Sequence, residues 1–147
     1  MDSDLGLQFA HKVRIRVCGI LIENERILLV KHEGLGKLGT FWSPPGGGVE
    51  FGETVEETLQ REFLEETGLE VKCGPFILFH EHIDSRFHAL ELFFKVDRIK
   101  GVEILGSDPE MEGKKAMLVD LKRFGKAELL SMPSEAYHKR IPDFLGF

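Results

Sequence analysis

Helices laid on a mixed sheet, in an α/β or α+β arrangement, follow from three features of this 147-residue chain. Apolar runs with β-branched residues open it. One amphipathic helical pattern then occupies residues 54 to 67. Two long alternating runs come after it, before a last short strand and a last helical stretch.

Residues 13 to 22, VRIRVCGILI, begin with alternation and end fully apolar, which predicts a strand. Asn24 lies in a polar turn, and Ile27 to Lys31 form a second strand. Residues 33 to 40, EGLGKLGT, read as a loop. Gly34, Gly36 and Gly39 match a GxGxxG spacing, but the fingerprint requires a helix directly afterwards. Thr40-Phe41-Trp42-Ser43-Pro44-Pro45 follows instead and blocks one, so a loop on the substrate side is the better reading.

The helix is predicted from Thr54 to Thr67, with Thr54 or Glu53 as its cap and Gly68 in the left-handed position at its end. Val55, Leu59, Phe63 and Leu64 recur at three- and four-residue spacing as a core-facing stripe. Glu56, Glu57, Glu62, Glu65 and Glu66 are assigned to the opposite face, offset only by Arg61. Val71 to Ile83 and Phe87 to Ile99 are predicted as a hairpin turning near Asp84-Ser85. Within it His88, Leu90, Leu92, Phe94 and Val96 alternate toward one face. Residues 101 to 115 form a loop containing Gly101, Gly106, Pro109 and Gly113. Ala116 to Leu121 give a short strand, and Pro133 to Phe144 are partly helical, with Pro142 limiting the end.

The length fits one domain over residues 1–147 with a real core. A net charge of −6, with 42% hydrophobic and 30% charged residues, describes an ordinary globular chain. That acidity argues against duplex nucleic acid as a partner. Cys18 and Cys73 form no framework or metal spacing and are expected to be free, buried thiols. No run approaches the apolar length of a membrane span, and the N-terminus lacks the features of a signal peptide; a cytoplasmic location is the expectation. A homodimer is compatible with this reading.

The chemistry concentrates in residues 47 to 69, GGVEFGETVEETLQREFLEETGL. On a helix Glu62, Glu65 and Glu66, at i, i+3 and i+4, converge. Like charges at i,i+4 cost roughly 0.2–0.5 kcal/mol per pair. Carboxylates in the last turn oppose the helix dipole by about 0.3–1 kcal/mol each. A solvated acidic face is the bland alternative, but a helix selected for stability places Lys or Arg there. A hard divalent cation, Mg²⁺ above all and Mn²⁺ as a substitute, would balance such a cluster.

The stretch resembles the Nudix box, G-x5-E-x7-R-E-U-x-E-E-x-G-U with U bulky and apolar. Gly47, Glu53, Arg61, Glu62, Phe63, Glu65, Glu66, Gly68 and Leu69 meet every fixed position, and Phe63 departs mildly as an aromatic. Chance agreement is on the order of one in a billion. The resemblance implies an α/β/α sandwich with a mixed sheet between helices. It also implies Mg²⁺-dependent hydrolysis of the pyrophosphate bond in a nucleoside diphosphate linked to another moiety. Glu65 and Glu66 would be the principal metal ligands, and Glu62 a ligand or the base that deprotonates water. Glu53 would stand at or behind the cluster, a Gly47 carbonyl could join it, and Arg61 would orient the carboxylates. The loop after the hairpin often supplies a further ligand or base in this family; Glu112 is the first choice and Glu110 the second.

On the substrate side the resemblance points to Arg14 and Arg16 for phosphate or base contact, with a solvated strand face as the alternative. Trp42 is a candidate for base stacking, with core packing as its alternative. His80 and His82 share a strand face as a candidate transition-metal pair, but spacing fixes no third ligand, and polar strand residues near a cleft or subunit contact are the better reading. The Pro or Tyr that marks ADP-ribose and dinucleoside polyphosphate subfamilies would fall near Ser85 and Arg86 and is missing, as is the coenzyme A signature. The rival reading is a non-catalytic Nudix domain that binds or senses a nucleotide. The intact box speaks against it.

Overall fold

The structure, a computed structural model, describes residues 9–106 and 117–146. Its centre is a mixed four-stranded sheet in the order β5-β1-β7-β6. β1 (Val13–Ile20) runs parallel to β7 (His88–Gly101) and antiparallel to β5 (Gly46–Gly48), while β6 (Leu69–Ile83) pairs antiparallel with β7. A second, antiparallel sheet is built on β3 (Arg26–Glu33), paired with β2 (Ile22–Glu23), β4 (Thr40–Ser43) and β8 (Met117–Phe124). α1 (Val55–Thr67) lies on one side. A short α2 (Lys126–Leu130), a 3-10 turn at Ser134–Ala136 and α3 (Ile141–Phe144) close the other.

Strand alternation divides the core in two. Val17, Leu21, Leu28 and Val96 pack with Leu59 and Phe63 under α1. Cys18, Ile20, Ile27, Leu29 and Phe93 pack with Trp42, Phe124, Leu129 and Ile141 on the far side. Full burial of a side chain such as Phe63, which has no exposed surface, contributes roughly 1.5–3 kcal/mol. Gly19 permits that docking, since a Cβ there would stand 2.8 Å from the Phe63 ring. β7 therefore buries residues on both faces, Phe93 as well as Val96, rather than one.

α1 starts with a capping box: Thr54 Oγ1 accepts from the Glu57 N–H and Glu57 Oε1 from the Thr54 N–H, both at 3.0 Å. Gly68 ends it at φ 76°, donating to the Leu64 carbonyl. Two expectations change inside the helix. Leu64 is 53% exposed, and Glu62 and Glu66 are each 1% exposed. The reason is spacing: they stand three and seven residues after Leu59, on the inward side. β4, β5 and α2 lie outside the predicted elements. Pro142 stands in the first turn of α3, where a missing N–H costs nothing, rather than at its end. The GxGxxG segment holds Gly34, Gly36 and Gly39 at positive φ and opens no helix.

Candidate active site

β5 is three glycines; Gly47 and Gly48 each make room for a charged side chain, and Gly46 offers its N–H. The Gly46 N–H donates to Glu66 Oε1 at 3.0 Å. A Cβ on Gly47 would sit 2.3 Å from the Glu62 carboxyl carbon, and one on Gly48 would sit 2.6 Å from Arg14 Nη2. The Glu62 carboxylate thus approaches the backbone of β5 at a distance that a Cβ would forbid.

Arg61 binds the rest together. Its Nε and Nη2 donate to the two oxygens of Glu53 at 2.6 and 2.9 Å. Its Nη1 donates to Glu62 Oε1 at 2.9 Å and Glu65 Oε2 at 3.4 Å. Glu53 also accepts from Thr58 Oγ1 at 2.8 Å. The Arg61 bond holds the Glu53 carboxyl well below the usual range, at about 2, and Glu53 in turn holds Arg61 more firmly protonated. Both Glu53 oxygens bond the guanidinium, so Glu53 orients Arg61.

Glu62 Oε2 and Glu66 Oε2 are shielded from solvent, and the Glu65 side chain is 31% exposed beside them. Buried carboxylate charge is costly unless matched; Arg61 supplies one positive charge, bonded to Glu53, Glu62 and Glu65. The donors are hard oxygens on a rigid helix, so the arrangement fits a divalent cation of the Mg²⁺ type held by Glu62, Glu65 and Glu66.

Elsewhere the predicted residues separate. Arg14 lies over Gly48, its guanidinium 3.7 Å from the Phe9 ring centre. Arg16 donates to Glu91 Oε2 at 3.2 Å, on the face of the sheet away from α1. Trp42 is 8% exposed and meets Phe124 edge-on at 4.7 Å, so it serves the core and presents no stacking face; the half-buried Phe41 lies 6.3 Å from the His138 ring instead. Glu110 and Glu112 lie outside the described residues.

The histidine pair also resolves differently. His82 bonds Asp84 at 2.9 Å, while His80 joins Glu91 and His138. His138 Nε2 lies 2.8 Å from Glu91 Oε1, and its Nδ1 accepts from the Arg140 N–H at 3.1 Å. In the neutral ring these bonds put the proton on Nε2. In this arrangement His138 and Glu91 form a hydrogen-bonded pair with His80 beside it, the three offering ligand atoms within 4.8 Å of one another. Burial raises the Glu91 pKa, but His138 and Arg16 outweigh it and the carboxyl stays below its ordinary range. Burial lowers His80, and more strongly His32, which falls to about 4. Glu91 had a visible signal, a lone acid in the apolar run HALELFF; His138 had none.

Comparison with known proteins places these features. Residues 12–139 match the NUDIX domain profile. An ADP-ribose pyrophosphatase of Methanocaldococcus jannaschii is 38% identical over 114 residues, 76% of this chain; the chain spans 64% of that relative's length. An oxidized purine nucleoside triphosphate hydrolase of Mus musculus is 29% identical over 129 residues, covering 84% of this chain and 76% of that one. Among solved structures, a NUDIX hydrolase from Nitrosomonas europaea superposes with a TM-score of 0.75 at 18% identity, covering 92% of this chain and 87% of that one. A MutT NUDIX hydrolase from Burkholderia pseudomallei gives 0.72 at 21%, over 92% and 98%. At such identities the superpositions establish the fold, and the sequence matches carry the kinship. The chain belongs to the NUDIX domain family.

Proposed function

We propose that this protein is a divalent-metal-dependent hydrolase, cleaving the pyrophosphate bond of a nucleoside diphosphate linked to another moiety. The observation that carries the reading is the set of Glu62, Glu65 and Glu66 on one face of α1, with Arg61 bonded to Glu62 and Glu65 and with Glu62 and Glu66 buried against β5. Three carboxylates on one helix face are a donor set for a hard divalent cation, which supports a role in chemistry.

In this reading Glu62, Glu65 and Glu66 hold Mg²⁺, which when bound neutralises substrate phosphate charge and acidifies water. Arg61, pinned by Glu53, keeps Glu62 and Glu65 from rotating away. Water adds to phosphorus, the bridging P–O bond breaks, and the bridging oxygen leaves on the phosphorylated product. The water proton passes to a carboxylate, Glu62 or the loop residue Glu112, with Glu110 in reserve. Arg14, over Gly48, is the candidate for contact with substrate phosphate. The relatives' names span a nucleoside diphosphate linked to a sugar and an oxidized nucleoside triphosphate, and both classes belong in the first assays. The cytoplasm is the location this reading implies.

The test is a panel of nucleotide sugars, ADP-ribose and nucleoside triphosphates with Mg²⁺, reading the phosphorylated product released. Glu62→Gln should cut turnover by orders of magnitude with little change in affinity. Tight binding by the wild type without turnover of any compound would favour the nucleotide sensor.

A further inference from the structure

The ion-pair square formed by Glu23, Arg98, Glu103 and Arg123 includes no residue of the glutamate cluster. Arg98 Nη2 donates to Glu23 Oε1 at 2.5 Å and Glu103 Oε1 at 3.3 Å. Arg123 Nη1 meets the same Glu23 oxygen at 2.9 Å, and its Nη2 bonds Glu103. These residues line a cavity of about 770 Å³.

Only Glu103 of the four belongs to the segment 102–106 that follows β7. That segment touches α1 through its backbone. The Ile104 N–H donates to the Thr67 carbonyl and the Gly106 N–H to the Glu66 carbonyl, each at 2.9 Å. The approach is close enough that a Cβ on Gly106 would stand 1.7 Å from the Glu65 carbonyl oxygen. The two donors satisfy carbonyls that a helix end otherwise leaves open. They also offset the negative end of the dipole at the turn where Glu65 and Glu66 add negative charge. Packing does little to hold the segment down, since Val102, Ile104 and Leu105 are 72%, 64% and 38% exposed. Its side-chain anchor is Glu103.

We propose that Glu103, gripped by Arg98 and Arg123, is a positioning residue for the metal-binding end of α1: it seats residues 104 and 106 on the Glu66 and Thr67 carbonyls, and so sets the glutamates for their cation. This rests on the reading of those glutamates as metal ligands. Glu23 supplies the control. It pairs with the same two arginines but sits on β2 and does not belong to segment 102–106.

The experiment measures Mn²⁺ affinity by calorimetry and amide exchange at Ile104 and Gly106 by NMR, in wild type, Glu103→Gln and Glu23→Gln. Glu103→Gln should weaken Mn²⁺ binding by roughly three- to tenfold, below the ~10–100-fold found when a ligand's direct partner is lost. It should also speed exchange at both amides. Glu23→Gln should lower the melting temperature comparably and leave both readouts near wild type. Glu103→Asp, which keeps the charge with a shorter reach, is the milder variant and must show the same ordering if Glu103→Gln does not fold. Equal Mn²⁺ affinities in the Glu103 and Glu23 variants, or unchanged amide exchange in the Glu103 variants, would overturn the proposal while the metal reading stands. A wild type that takes up no Mn²⁺ would overturn both.

Discussion

Gly47→Ala separates the chemistry of the site from the stability of the fold. A methyl group at this position would stand 2.3 Å from Glu62 Cδ and 2.5 and 2.6 Å from its oxygens, against 3.4 Å or more for ordinary contact. Relief requires a shift of about 1 Å, and the Glu62 carboxylate is the flexible group that can make it. A movement of ~1 Å in a group that positions reactants costs on the order of 100-fold in rate. The fold should suffer little, because the displaced atoms end a side chain rather than belonging to backbone. The expected outcome is kcat/KM down about 100-fold on whichever substrate the panel identifies, weaker Mn²⁺ binding by calorimetry, and a melting temperature close to wild type. Gly48→Ala is the comparison: its methyl group would meet Arg14 Nη2, so KM should rise while Mn²⁺ affinity holds. A Gly47→Ala protein with wild-type kinetics and metal affinity would refute the reasoning, since Glu62 would then have no fixed position to lose.

Other consequences are as direct. Glu66→Gln removes a carboxylate charge while keeping an acceptor for the Gly46 N–H, so it should leave the fold intact and abolish the rise in melting temperature that Mn²⁺ gives the wild type; a metal-induced rise equal to wild type would contradict this. Glu53, depressed from 4.5 to about 2, contributes stability that is full above its unfolded value and lost as pH falls through about 2. Melting temperature should therefore fall more steeply between pH 4.5 and 2 in the wild type than in Glu53→Gln, and parallel curves would argue against the Arg61 bond in solution. Glu112→Gln should lower kcat more than it raises KM; unchanged kinetics there with a defective Glu110→Gln would move the role two residues upstream, and full activity in both would leave Glu62 as the base.

Local patterns account for the elements that could be read in advance. The capping residue Thr54, the Gly68 stop and the Leu59–Phe63 stripe define α1 because helix ends and periodicity depend on neighbours in sequence. The long β6–β7 hairpin was legible for the same reason. β4 and β5 were not, because Thr40–Ser43 and Gly46–Gly48 lack a strand pattern and become strands only by pairing with β3 and β1. Glu62 and Glu66 are legible as functional residues but are assigned to the face opposite the core stripe, although their offset from Leu59 already pointed inward.

What the amino-acid order determined by itself is the family, the helix and the identity of its carboxylates, since these rest on residue types at fixed spacing. Tertiary structure alone decided which group each carboxylate meets: Glu53 on Arg61, Glu66 on the Gly46 N–H, Glu62 against Gly47. It also joined Glu91 to His138 across 47 residues, turned Trp42 into the core, and bonded Glu103 to Arg98. These are contacts between strands and loops distant in sequence. They depend on which faces the two sheets and α1 bury against each other, a choice made by the packing of the whole chain and by no local stretch of it.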